Sequence, residues 1–272
     1  MLQLENRPYT AALADQGRVL FLNMPSEVLA WRVGSTEEPE VVLRWGHKFD
    51  YIAVSPTDDL FAAWSWKDDE THRVGVFDSE GRRQFSLRGF DEIGGYPRGM
   101  AFSPDARRFY LTVTDVSTPD LHRTRVKEYD LASGRLLSDR PFHRSPSWLS
   151  SSMSRDGRWS VSWVQDESRP ARMIDTRTGR SVDLRVPDRP TEAVWFYPLS
   201  SGAAQPWEDG SVVLYDGSGR PTQVLQAHQD VVYDVVESPD GSWAASADDS
   251  GVVVIWDVDP RTGIWSQRET LQ

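Results

Sequence analysis

The chain contains no cysteine. Disulfides, thiolate nucleophiles and Cys-ligated metals are therefore excluded, which fits a reducing cytoplasm. No run is long and apolar enough for a membrane span. The start, Met1–Leu2–Gln3–Leu4–Glu5–Asn6–Arg7, lacks the basic segment and apolar core of a secretory signal. Positive charge is scarce: 30 Lys and Arg stand against 41 Asp and Glu, a net charge of −11. A surface this acidic repels nucleic-acid phosphates, so neither a nucleic-acid nor a membrane partner is expected. No segment sustains a 3.6-residue apolar period, which predicts almost no helix. No Gly-rich loop follows a strand and opens a helix, so a nucleotide cradle is absent and no cofactor is expected.

What is present is a pattern that recurs about every 45 residues. The last copy is the clearest. It runs Val235–Val236–Glu237–Ser238–Pro239–Asp240–Gly241–Ser242–Trp243, then Ala245–Ser246, then Val252–Val253–Val254–Ile255–Trp256–Asp257. It reads strand, turn, strand, turn, strand. Related turns lie at Asp15–Gln16–Gly17–Arg18, Ser55–Pro56–Thr57–Asp58, Ser103–Pro104–Asp105–Ala106, Ser154–Arg155–Asp156–Gly157 and Pro198–Leu199–Ser200–Ser201. Pro presets a turn corner, Asp bonds its own downstream backbone, and Gly accepts positive φ. The third strand of each copy closes on Trp31, Phe77, Tyr129, Ile174, Tyr215 or Trp256, with spacings of 46, 52, 45, 41 and 41 residues. A fourth, more polar strand fits after each, such as Gln84–Phe85–Ser86–Leu87 or Thr222–Gln223–Val224–Leu225.

Six copies of four short strands predict an all-β chain: a single β-propeller domain over 1–272, with six blades, seven being the alternative. The blades fall roughly at 8–49, 50–95, 96–145, 146–190, 191–230 and 231–272, with 1–7 as a candidate outer closing strand. Inner strands such as Tyr110–Leu111–Thr112–Val113 are apolar throughout, as strands covered on both faces should be. The 12 Trp recur at matched positions (Trp159 with Trp243, Trp66 with Trp163), which points to packing between blades. Trp207, in a turn, is instead expected to serve surface recognition.

The segment Ala227–His228, Ser238–Pro239–Asp240–Gly241, Ala245–Ser246 and Ile255–Trp256–Asp257 resembles the tryptophan–aspartate (WD) repeat of divergent bacterial propellers, and Gly46–His47 resembles that family's Gly-His start. The resemblance implies a buried hydrogen-bond relay of His, Ser or Thr, Asp and Trp. His228, Ser246 and Trp256 match it; the position expected for the Asp, six residues before the Trp, holds Ser250. In repeat five Asp209 fits the Asp slot and Tyr215 stands in the Trp slot.

The resemblance also implies a protein-docking scaffold rather than an enzyme, and a partner face at the loops joining second and third strands. Those loops are acidic here: Asp68, Asp69, Glu70 and His72; Asp115, Asp120 and His122; Asp166 and Glu167; Trp207 and Glu208; Asp248 and Asp249. Gathered on one rim, they would suit a basic protein or peptide. The chain would then be an adaptor, or the sensor or scaffold part of a larger bacterial regulator. Two other readings stay open. One is a metal-dependent propeller hydrolase of lactonase or esterase type, because His72 and His122 lie beside Asp68, Asp69 and Asp120; no catalytic or metal-ligand set is assigned. The other is an acidic inhibitor or immunity-type protein that plugs a basic partner.

Overall fold

The computed structural model describes residues 10–44, 49–66, 72–87, 95–115, 121–146, 149–164, 171–187, 196–238 and 240–271. Strands dominate them, and the helix present is one 3-10 turn, Asp15–Gly17. Each repeat becomes one four-stranded antiparallel sheet in which strands pair in chain order. Blade one holds β1 (Thr10–Ala14), β2 (Val19–Asn23), β3 (Glu27–Arg32) and β4 (Glu40–Arg44). Blade two holds β5 (Phe49–Val54), β6 (Phe61–Trp66), β7 (His72–Phe77) and β8 (Arg83–Leu87). Blade three holds β9 (Gly95–Phe102), β10 (Arg108–Asp115), β11 (His122–Asp130) and β12 (Leu136–Ser145). Blade four holds β13 (Leu149–Met153), β14 (Trp159–Val164), β15 (Arg172–Asp175) and β16 (Ser181–Asp183). Blade five holds β17 (Tyr197–Pro198), β18 (Gly202–Pro206), β19 (Ser211–Asp216) and β20 (Pro221–Gln226). Blade six holds β21 (Val232–Glu237), β22 (Trp243–Asp248), β23 (Val253–Val258) and β24 (Trp265–Leu271). The fold class is thus the six-bladed β-propeller.

The repeated turn forms for the reason its residues suggest. In blade six Ser238 Oγ donates to Asp240 at 2.7 Å, Asp240 accepts the Ser242 N–H at 3.1 Å, and Gly241 takes φ +68°. Blade four repeats this with Ser154, Asp156 and Gly157, and blade three with Ser103 and Asp105. In blade three the left-handed position falls on Ala106, at φ +50°. The hydrogen bonds from Ser238 and Ser242 hold the Asp240 carboxyl down at about 2.

The chain divides into two compact units: Met1–Pro119 with Arg125–Arg140, and Asp120–Thr124 with Pro141–Gln272. In the first, Phe21, Val28, Ile52, Phe61 and Phe77 form one core, and Val74, Phe102, Phe109, Leu111 and Val113 a second. In the second, Trp159, Met173, Phe196, Trp207 and Tyr215 form one core, and Leu214, Val235, Val254, Trp256 and Trp265 another. Each cluster joins the facing sides of successive blades. Burying apolar area is worth about 25 cal/mol per Å², so these junctions stabilise neighbouring blades against each other. Blades four and five are also pinned. Trp159 Nε1 donates to the Ser200 carbonyl at 3.1 Å, and its ring lies so close to Gly217 that a Cβ there would sit 2.7 Å away.

The structure changes the reading of two tryptophans. Trp207 is 4% exposed and lies in a core, so it is not a surface-recognition residue. Trp243 is exposed, although its counterpart Trp159 is buried.

Candidate protein-docking face

Blade six builds a complete buried relay. Trp256 Nε1 donates to Ser246 Oγ at 2.9 Å, and Ser246 Oγ lies 2.6 Å from His228 Nε2. His228 Nδ1 lies 2.9 Å from Asp248 Oδ2. One set of directions uses every donor once: Trp to Ser, Ser to His, His to Asp. Asp248 Oδ1 then accepts Ser250 Oγ at 2.7 Å and the Val252 N–H at 3.0 Å. Burial would raise the Asp248 carboxyl pKa, but hydrogen bonds from Ser250, His228 and Val252 hold it below its ordinary 3.8. The stability it contributes is present above pH 3.8 and is lost as pH falls through the depressed folded value.

The relay Asp is therefore Asp248, eight residues before Trp256, and not the slot at Ser250. Because its carboxylate is consumed inside the blade, Asp248 is withdrawn from the partner-contacting set. The strand register explains why blades one, two, four and five do not repeat the Ser–Trp step of the relay among the described residues. Trp256 pairs with Ala244, two residues before Ser246. The matching positions two residues after the partners of Trp31, Phe77, Ile174 and Tyr215 are Leu22, Ala63, Ser162 and Gln205. Leu22 and Ala63 offer no hydrogen bond. Ser162 turns to the Ser150 carbonyl at 3.0 Å. In blade five Tyr215 donates its hydroxyl to Gln205 at 2.5 Å, a two-member remnant. Trp207 then occupies the slot that Asp248 fills 41 residues later, which is why it points inward. Asp209 caps its turn by accepting the Ser211 N–H and hydroxyl instead.

The relay also fixes the loops above it. The Asp249 N–H donates to the Val231 carbonyl at 3.0 Å, joining 248–252 to 227–231. Gly210, at φ +77°, brings 207–210 against the same segment; a Cβ there would sit 2.5 Å from the His228 carbonyl oxygen. Three loops thus form one surface. Glu208, Asp209, Asp230, Asp234 and Asp249 are exposed on or beside it, and 205–211, 227–236 and 246–252 contain no Lys or Arg.

The other expected site residues divide as follows. Asp68, Asp69, Glu70, Asp120, Asp166 and Glu167 lie outside the described residues, as does the side chain of His72, which opens β7. Asp115 ends β10 and His122 opens β11, both half-buried. Among the described residues no group of three His, Cys, Asp or Glu is placed to hold a metal ion. No helix among them is long and apolar enough to cross a membrane.

Sequence reading missed Asp230, Tyr233 and Asp234. The available signal was Val231–Val232–Tyr233–Asp234–Val235–Val236, where two adjacent polar-tipped residues interrupt an innermost strand. Both can leave the sheet only at a bulge, and one is present. Val232 pairs with Asp248 and Asp234 with Ala247, leaving Tyr233 as the extra residue. Tyr233 is 52% exposed and Val236 49%. The Tyr197 hydroxyl donates to the Tyr233 carbonyl and fixes the bulged backbone. Burial raises the Tyr197 pKa, and the nearby Asp234 charge adds to the rise. Although Asp234 reaches solvent, enough protein surrounds it that desolvation raises its carboxyl pKa, and only the Val235 N–H offsets the rise.

Comparison with known proteins agrees with this geometry. Residues 219–257 match the family model described as WD domain, G-beta repeat. No curated protein matches the chain in sequence. The solved structure of U3-55K is similar to this chain with a TM-score of 0.67 at 12% identity, over 98% of this chain and 82% of that one. As many as 1196 solved chains match, so likeness at this level carries fold and not function. The chain is a six-bladed β-propeller whose residues 219–257 form a WD repeat.

Proposed function

We propose that this chain is a non-catalytic docking module that holds a basic protein segment on the acidic loop face of blades five and six. It would act as an adaptor, or as the sensor or scaffold part of a larger regulator. WD-repeat propellers typically mediate protein–protein interaction, and that supports the general role. One observation carries the choice of partner: Glu208, Asp230 and Asp249 stand on three adjoining loops, with Asp234 beside them on β21, and these segments contain no Lys or Arg. A like-charged face of this kind attracts cationic partners and repels acidic ones. The buried relay beneath it keeps the loops in one arrangement, which limits the ordering cost of binding.

The test uses a fluorescein-labelled peptide of alternating lysine and glycine. Its anisotropy is followed with the wild-type chain and with Glu208→Lys/Asp230→Lys/Asp249→Lys. The expected result is binding that weakens as salt rises and is lost in the charge-reversed chain. Equal binding by both proteins rules the face out.

A further inference from the structure

Resting on the acidic face proposed above, a more particular site lies on β21. Tyr233 and Val236 are both largely exposed, and exposed Asp234 stands next to Tyr233. Backbone bulges also interrupt β5 between Phe49 and Tyr51, and β9 opposite Thr112 and Val113. The repeat supplies the irregularity, and in blade six the sequence places a tyrosine at it. The Tyr197 hydroxyl holds the Tyr233 carbonyl, so the ring is presented from a fixed backbone. No cation is found at 227–236, 205–211 or 246–252 to neutralise Asp234, and its partner is a backbone N–H.

We propose that Tyr233, Asp234 and Val236 form the anchoring subsite for one arginine of an extended basic segment from a protein partner. The guanidinium lies across the Tyr233 ring and its N–H groups reach the Asp234 carboxylate. An aliphatic neighbour in the segment covers Val236. Charge complementarity selects a cation. The aromatic face selects arginine over lysine, because the planar guanidinium stacks and forks onto a carboxylate while an ammonium is a compact, strongly hydrated charge. Glu208, Asp230 and Asp249 form the outer collar that steers the segment in.

The test compares two labelled peptides, alternating arginine–glycine and alternating lysine–glycine, by fluorescence anisotropy at fixed salt. Three variants are used: Tyr233→Ala, Tyr233→Phe and Asp234→Asn. None removes the Tyr197 bond, which goes to a backbone carbonyl. The wild type is expected to prefer the arginine peptide. Tyr233→Ala and Asp234→Asn are each expected to weaken it about tenfold and to erase the preference, while Tyr233→Phe keeps it. If charge reversal of the collar abolishes binding but Tyr233→Ala and Asp234→Asn bind like wild type, the subsite is wrong and the acidic face stands. If neither peptide binds the wild type, both fail.

Discussion

Removing the Ser246 hydroxyl should cost more stability than any exposed serine could. That oxygen is the hinge of the relay. It accepts from Trp256 Nε1 at 2.9 Å and lies 2.6 Å from His228 Nε2, with all three side chains buried. Ser246→Ala leaves both the indole N–H and the imidazole nitrogen without a partner, and neither can reach water. A buried polar group stripped of its partner costs about 1–3 kcal/mol, so two give roughly 2–6 kcal/mol, with about 4 as the centre. Trp256→Phe removes the indole donor but leaves Ser246 bonded to His228, so a smaller loss in polar pairing is expected. The two substitutions should not add. In the double variant the orphaned indole N–H is gone, and a coupling of about 1–3 kcal/mol should appear between them. Urea unfolding of wild type, both single variants and the double variant measures all of this. A loss below about 0.5 kcal/mol for Ser246→Ala, with strict additivity, would refute the claim that the relay organises blade six.

Two further predictions rest on separate features. Ala106 occupies the left-handed turn position that Gly157 and Gly241 fill in blades four and six, so Ala106→Gly should stabilise the chain by about 1 kcal/mol in urea unfolding, and a loss instead would show that φ +50° carries no strain. Asp234 has a raised carboxyl pKa in the folded protein, so its charge at neutral pH opposes folding. Asp234→Asn should therefore raise the unfolding midpoint at pH 7, and the gain should shrink as pH falls through the raised value and vanish below 3.8. A gain at neutral pH joined to weaker peptide binding is the signature of a residue kept for contact rather than stability. A lower midpoint at pH 7 would contradict the sign.

Much of the fold was legible because turn chemistry is local. Ser238, Asp240 and Gly241 bond to one another within five residues, and the same arithmetic places Ser154, Asp156 and Gly157. Alternation and apolar runs then fix strands between such turns. The relay was half legible. His228, Ser246 and Trp256 stand at recognisable spacings, but Asp248 was missed because counting back from the Trp takes no account of the Asp248–Val252 turn that displaces the slot by two residues. Trp207 was misread for a related reason: its place in a turn suggested exposure, while the register of β18 on β19 puts it where Asp248 sits in the next blade. Tyr233 and Asp234 were not legible as surface residues. Strict alternation would send one of them inward; their adjacency in an apolar strand hints at a bulge, but its position is set by pairing with β22, which the sequence of β21 alone does not contain.

The central claim is that the loops of blades five and six hold the partner. Hydrogen–deuterium exchange of the chain, alone and with a bound arginine–glycine peptide, tests it most directly. The account predicts slower exchange in 207–210, 227–236 and 248–252, with β20 and β24 unchanged. Unchanged exchange in those three segments, with protection on β20, β24 or elsewhere, would contradict it.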